Sequence, residues 1–127
     1  MRSVMNDFQS AVDAGNASLL APLLAPDVRL LASVSPDPFD GQDTVLFIFG
    51  MLITLIQEPR YVAEVVGAKE VVLVMKGRLG DRPLDGIQVL TVGEDGLITQ
   101  FLDFVRPLPA LIALQDAATQ YLADLGR

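Results

Sequence analysis

The hydrophobic pattern changes its period along the chain. Val4, Phe8, Ala11 and Val12 share one helical face, which predicts a helix over residues 3 to 14 with Gly15 as its stop. Asn16 then caps a short second helix, Ala17 to Leu24, closed near Pro26. Asp27 to Val34 fits a strand, and Ser35 to Asp40 is a loop rich in turn formers. Val45 to Ile56, VLFIFGMLITLI, departs from the amphipathic rule, because only Gly50 and Thr54 are not strongly apolar. The spacing predicts one helix over 42–57, with Asp40 as N-cap, Asp43 in the first turn, and Pro59 preventing continuation. A helix without a polar face must be covered nearly all round. Its apolar run falls short of the roughly 20 residues that cross a bilayer, so it reads as a core helix. A curved sheet, other helices, a partner subunit or a cavity holding an apolar ligand would each cover it.

After Pro59 the period becomes two. Arg60 to Gly67, Lys69 to Leu79, Arg82 to Val92 and Leu97 to Arg106 read as four strands joined by hairpins, since no connection is long enough for a crossover helix. A Gly80-Asp81 turn sets Lys76 opposite Asp85 and Met75 opposite Gly86; a Gly93–Gly96 loop sets Gly86 opposite Asp103 and Gln88 opposite Phe101. One face then carries Leu73, Met75, Leu84, Gly86, Gln88, Leu90, Phe101, Asp103 and Val105. The other carries Val72, Val74, Lys76, Arg78, Asp85, Ile87, Val89, Gln100, Leu102, Phe104 and Arg106, charged near one end and apolar in the middle. A patch of that kind predicts a homodimer through the sheet. Pro107 and Pro109 open a last helix with a stripe of Leu111, Leu114, Ala118, Tyr121, Leu122 and Leu125. The whole is one α+β domain, residues 1–127, with helices on one face of a bent antiparallel sheet.

Composition narrows the chemistry. Hydrophobic residues make up 51% of the 127 and mean hydropathy is +0.44, an excess that calls for a buried interface or an apolar pocket. A net charge of −7 argues against nucleic acid and anionic membranes as partners. With no cysteine there is no thiol chemistry, and with no histidine there is no Ser-His or Cys-His catalysis, no imidazole acid or base and no histidine metal site. Chemistry must rest on carboxylates, Tyr61, Tyr121, lysine, arginine or backbone groups. Met1 to Ser10 lacks the apolar stretch of a signal peptide, so a cytoplasmic location is expected.

Several short motifs carry a family likeness: Asp13-Ala14-Gly15-Asn16, Leu24-Ala25-Pro26-Asp27-Val28, Gly41, Asp85-Gly86-Ile87-Gln88-Val89-Leu90 and Asp95-Gly96-Leu97-Ile98-Thr99. With this order of elements the chain resembles the nuclear transport factor 2-like (cystatin-like) superfamily, and within it the SnoaL-like proteins. The resemblance implies a cone in which a curved antiparallel sheet wraps a long helix around an apolar pocket, commonly dimeric through the sheet. Its members include ketosteroid isomerases, epoxide hydrolases, polyketide cyclases and non-catalytic scaffolds, so it does not fix an activity. The isomerases' tyrosine matches Phe8, their aspartate base Ala32 or Ser33, and their protonated aspartic acid Gln88, which disfavours steroid isomerisation. Asp103 matches one aspartate of the epoxide hydrolases, and the cyclases place an acid/base aspartate in the same region. Lys76-Gly77-Arg78 does not supply the hydrolases' arginine-and-aspartate pair.

Asp103 interrupts an apolar strand, and burial there would raise its pKa toward neutrality, which suits a general acid or base. The alternative is a rim position, solvated or paired with Arg106 or Arg60. Gln88 is the second candidate, as a donor to a carbonyl or oxyanion. Phe8, Leu31, Ser33, Phe47, Met51, Met75, Gly86, Phe101 and Val105 are the expected pocket lining, with plain core packing as the alternative for the aromatic and methionine side chains. Asp37, Asp40 and Asp43 lack EF-hand spacing and read as caps and turns. The expectation is therefore a small apolar ligand or substrate, handled without metal or cofactor. A binding protein without turnover and a protein-interaction module are the alternatives.

Overall fold

The computed structural model describes residues 3–126. Helix α1, Val4–Ala14, opens where the Ser3 side chain accepts from the Asn6 amide and closes at Gly15, whose φ of 62° lies in the left-handed region that glycine adopts freely. Asn16 accepts from the Ser18 amide at 3.1 Å and starts a 3-10 segment, Ala17–Leu23, which contains Pro22. Strand β1, Leu24–Ala32, begins three residues earlier than its polar pattern suggests. Strand β2, Phe39–Asp40, leads into α2, Gln42–Leu55. Strands β3, Gln57–Val66, β4, Glu70–Leu79, β5, Arg82–Val92, and β6, Ile98–Arg106, follow, and α3, Leu108–Leu125, ends the order. The fold class is α+β, and among the described residues no helix is long and apolar enough to cross a membrane.

The six strands form one sheet in the order β2-β1-β6-β5-β4-β3. Hairpin pairing accounts for β3 through β6, but β1 joins β6 in parallel, so the sheet is mixed rather than purely antiparallel. Most of the chain lies between those two strands, and a connection of that length leaves the direction of pairing open. The β4–β5 register is the expected one, with Lys76 opposite Asp85 and Met75 opposite Gly86. The β5–β6 register differs by two residues: Gln88 faces Asp103 and Gly86 faces Val105, because β6 starts later and the ladder shifts between Thr91 and Val92. An even shift keeps every side chain on its face.

Leu73, Met75, Leu84, Gly86, Gln88, Leu90, Phe101 and Asp103 are buried between sheet and helices, while Ile87 and Phe104 are exposed on the outer face. Val45, Ile48, Phe49, Met51 and Leu52 bury most of α2, but Asp43, Phe47 and Thr54 form an open stripe, so the helix is not covered all round. Its N-cap is Gly41, without a side-chain cap bond. Asp40 sits in β2 and pairs with Arg29, Nε to Oδ1 at 2.7 Å. Pro59 is not the stop either: α2 ends at Leu55 and Pro59 lies within edge strand β3, where its missing N–H is tolerated. Helix α3 buries Ala110, Leu114 and Ala118. Leu122 and Leu125, assigned to its stripe by spacing, are exposed because its last turns run past the body.

The α2–β3 connection presses onto β4 at Gly77, where an added Cβ would lie 2.6 Å from Ile56 Cγ2 and 3.3 Å from the Gln57 carbonyl oxygen. Gly77→Ala is therefore expected to destabilise the fold by about 1–3 kcal/mol, an overpacking cost, measurable by urea denaturation. A midpoint unchanged from wild type would mean that the connection is free to lift.

Candidate functional site

Four strands and two helices meet beside the C-terminal end of α2. Tyr61 comes from β3, Met75 from β4, Gln88 from β5, and Asp103 with Val105 from β6. Val12 of α1 and Phe49, Leu52 and Ile53 of α2 close the other side, with Ile56 from the α2–β3 connection and Pro59 from the start of β3. These side chains enclose a cavity of about 20 Å³. That is room for roughly one water molecule.

Period-two alternation turns Gln88 and Asp103 to the same inner face, and the ladder sets them opposite each other. The Tyr61 hydroxyl donates to Gln88 Oε1 at 3.0 Å, and the Tyr61 amide donates to Gln9 Oε1 at 2.7 Å, fixing β3 to α1. The Gln88 carboxamide nitrogen hydrogen-bonds no protein group among the described residues. Burial pushes the Tyr61 hydroxyl pKa well above its ordinary 10; the Gln88 hydrogen bond lowers it again in part, and the nearby Asp103 adds to the rise.

Asp103 is 7% exposed, and its carboxyl makes neither a hydrogen bond nor an ion pair among the described residues. Burial alone pushes its pKa from 3.8 to about 7. The rim alternative does not describe it. Arg106 is spent on Asp85, Nη1 to Oδ2 at 2.8 Å, on the outer face, and Arg60 lies exposed on β3. A carboxyl so placed can give or take a proton near neutral pH and offers no fixed negative charge to anchor a cation-dependent fold. Among the described residues no three carboxylates cluster as metal ligands would.

Of the side chains expected to line a pocket, Met75, Gln88, Asp103 and Val105 do so. Phe8 and Phe101 stand behind the cavity in an aromatic cluster with Phe49 and Tyr61, ring centroids 5.5 to 5.8 Å apart. The other five lie elsewhere. Leu31 is opposite Leu102 on the outer face, since alternation along β1 turns its neighbours Leu30 and Ala32 inward. Ser33 fastens the end of β1 to β6, donating from Oγ to the Asp103 carbonyl at 2.6 Å and accepting from the Val105 amide. Phe47 is 46% exposed on the open stripe of α2, and Met51 faces the groove toward α3. Gly86 makes room for Met75 rather than a ligand, since a Cβ there would lie 3.2 Å from Met75 Cε. Sequence reasoning missed Phe49, Ile53 and Ile56 as lining, and gave Tyr61 no place. The β3–β4 ladder, which pairs Tyr61 with Met75, was the signal that could have turned it inward.

No protein-family model and no curated protein matches the chain. Solved structures do. An uncharacterized protein with a cystatin-like fold from Silicibacter pomeroyi superposes with a TM-score of 0.89 at 28% identity, covering 97% of this chain and 87% of that one. A steroid delta-isomerase from Pseudomonas aeruginosa gives 0.87 at 28% identity, covering 94% of this chain and 89% of that one. The chain has the cystatin-like, nuclear transport factor 2-like fold. A more distant structure of that fold, from Mycobacterium tuberculosis and in complex with estradiol-17beta-hemisuccinate, matches with a TM-score of 0.61 at 18% identity over 83% of this chain and 92% of that one.

Proposed function

We propose that the chain is a cofactor-independent, small-molecule-binding protein of the cytoplasm in which Asp103 moves a proton on a carbonyl- or epoxide-bearing substrate. The observation that carries this reading is the Asp103 carboxyl, buried among apolar side chains with no protein partner among the described residues and a pKa near 7. Gln88 stands opposite, placed to donate to oxygen as charge develops there. The likeness to a steroid delta-isomerase, and the steroid derivative held by the mycobacterial structure, support a small-molecule site. Steroid isomerisation itself is disfavoured, since the positions that the resemblance matches to the isomerases' working groups carry Phe8, Ala32 or Ser33, and Gln88. A cavity of about 20 Å³ admits one small group, so the body of a ligand enters only if Ile53, Ile56 or Met75 swings aside. Met75, unbranched, is the easiest of these to move.

Asp103→Asn divides the possibilities. Loss of turnover by about 10²-fold or more with retained binding is the expected result for proton transfer. No change in either turnover or affinity would remove Asp103 from the reaction.

A second reading has its own support. The interior holds far less space than the roughly 300 Å³ of a ligand pocket, as an interaction module filled by its own side chains would. The outer sheet face, where Phe104 is 55% exposed beside Ile87 and half-buried Val74, is the proposed contact for a second copy of the chain. Light scattering is expected to give twice the 13.7 kDa chain mass, and Phe104→Glu the single mass. A wild-type protein of single mass would remove the homodimer.

A further inference from the structure

Helices α2 and α3 enclose another hollow, on a different face of α2 from the one that meets Asp103. Ile48 and Met51 of α2, Ala118 and Leu122 of α3, Phe39 of β2 and Val34 line a groove of about 400 Å³. It has no residue in common with the Asp103 cavity. Gln115 donates from Nε2 to the Val34 carbonyl at 3.2 Å, which ties α3 to the turn after β1 and fixes the spacing of the walls. Leu122 is 45% exposed, and Leu125, one turn further along α3, extends the apolar strip past the body. Charge is divided between the layers of the fold. Every lysine and arginine among the described residues lies on a strand or in the β3–β4 turn, and the helices carry none. Asp116 lines the groove, while Asp37, Asp43 and Asp124 come from the segments that build it. None of the four makes an ion pair among the described residues.

We propose that the α2–α3 groove docks a cationic amphipathic helix of another protein. Its apolar face lies on Ile48, Met51 and Leu122, and its lysines or arginines stand among Asp37, Asp43, Asp116 and Asp124. An apolar floor ringed only by carboxylates calls for apolar side chains carried beside cations. A polyamine lacks the first and an anionic bilayer the second. The helical side of a second copy would bring the same unpaired carboxylates and be repelled. An amphipathic helix meets both needs, with anchors at i, i+3 or i+4 and i+7 and basic residues flanking them. Met51, unbranched and polarizable, adapts to anchors of different shape. The dimer proposed through Phe104, Ile87 and Val74 uses none of these residues, so both contacts can be made at once.

The test uses three fluorescein-labelled peptides of about 18 residues, or five helical turns. One sets leucines at helical spacing among lysines, one keeps those leucines among glutamates, and one scrambles the leucine–lysine sequence. Fluorescence anisotropy with the full chain gives affinity, and amide NMR shifts give the place. The patterned lysine peptide is expected to bind at least about tenfold more tightly than either of the others and to shift Met51, Ala118 and Leu122. A chain of net charge −7 also attracts cationic peptides without docking them. Leu122→Glu separates the two effects, because it adds a negative charge while removing an apolar wall. Docking is expected to weaken about tenfold in that variant, whereas plain attraction would strengthen. Asp116→Lys, at an exposed position, is expected to move preference toward the glutamate peptide, and serves if the first variant does not fold. A scrambled peptide that binds as tightly as the patterned one, or Leu122→Glu binding as tightly as wild type, would overturn the proposal. So would shifts confined to the strands, or no binding at all. Shifts of the same amides on concentrating the chain alone would give the groove to a second copy instead.

Discussion

Asp103→Asn is expected to match the wild type in stability near pH 4 and to exceed it above pH 7. The Asp103 carboxyl ordinarily loses its proton near 3.8, as it does in the unfolded chain, while burial in the folded protein holds it to about 7. Below the lower value both states are protonated and the residue contributes no slope. Between the two values the folded state keeps a proton that the unfolded chain has lost, so wild-type stability falls as pH rises. Above about 7 both states are ionised and the loss is complete. A shift of roughly three pH units sets the ceiling of that loss at about 4 kcal/mol. Asparagine carries no charge at any of these pH values and escapes it. The difference between variant and wild type, taken from urea denaturation across this range, isolates the residue from other titrations such as that of Asp85, whose carboxyl Lys76 and Arg106 hold below its ordinary value. A difference that stays flat with pH would mean that the carboxyl is hydrated or paired in solution, and the proposed proton chemistry would lose its basis. A carboxyl that lowers stability near neutrality fits a residue kept for function.

Phe8→Ala is expected to cost about 3–5 kcal/mol, a large share of the 5–15 kcal/mol that a domain of this kind has in total. Phe8 is fully buried. Its ring meets Phe49 edge-on at 5.5 Å, Tyr61 edge-on at 5.8 Å and Phe101 at 5.7 Å, so one side chain joins α1 to α2, β3 and β6. Truncation leaves a void among three rings that are themselves wedged between sheet and helix, where little collapse can fill it. Urea denaturation measures the loss. A cost under about 1 kcal/mol would show that α1 is held mainly by its hydrogen bonds, in which Glu64 accepts from the Met5 amide and Gln9 accepts from the Tyr61 amide, and not by its apolar face.

Asp103 shows how far the pattern of residues reaches. Alternation along β6 turned it inward correctly, and a register two residues from the true one left that result intact. The same error named Gly86 as its neighbour, when the neighbour is Gln88. Leu31 went the other way. It was expected in the pocket, whereas pairing with Leu102 sets it on the outer face. Phe47 was unreadable for a different reason. A helix with no polar face carries no mark of which side its neighbours leave open.

The sequence by itself determined the order of the elements apart from the two-residue β2, which was read as loop, the inner and outer faces of β4 to β6, and the absence of imidazole and thiol chemistry. Those follow from periods of 2 and 3.6 and from composition, which are local properties of the chain. The tertiary structure alone decided that Tyr61 reaches Gln88, that no arginine among the described residues reaches Asp103, and that the space beside them has room for about one water. Those are matters of distance and residual volume. They depend on how side chains from α1, α2 and four strands, far apart in sequence, fill a common space, and no local pattern records that sum.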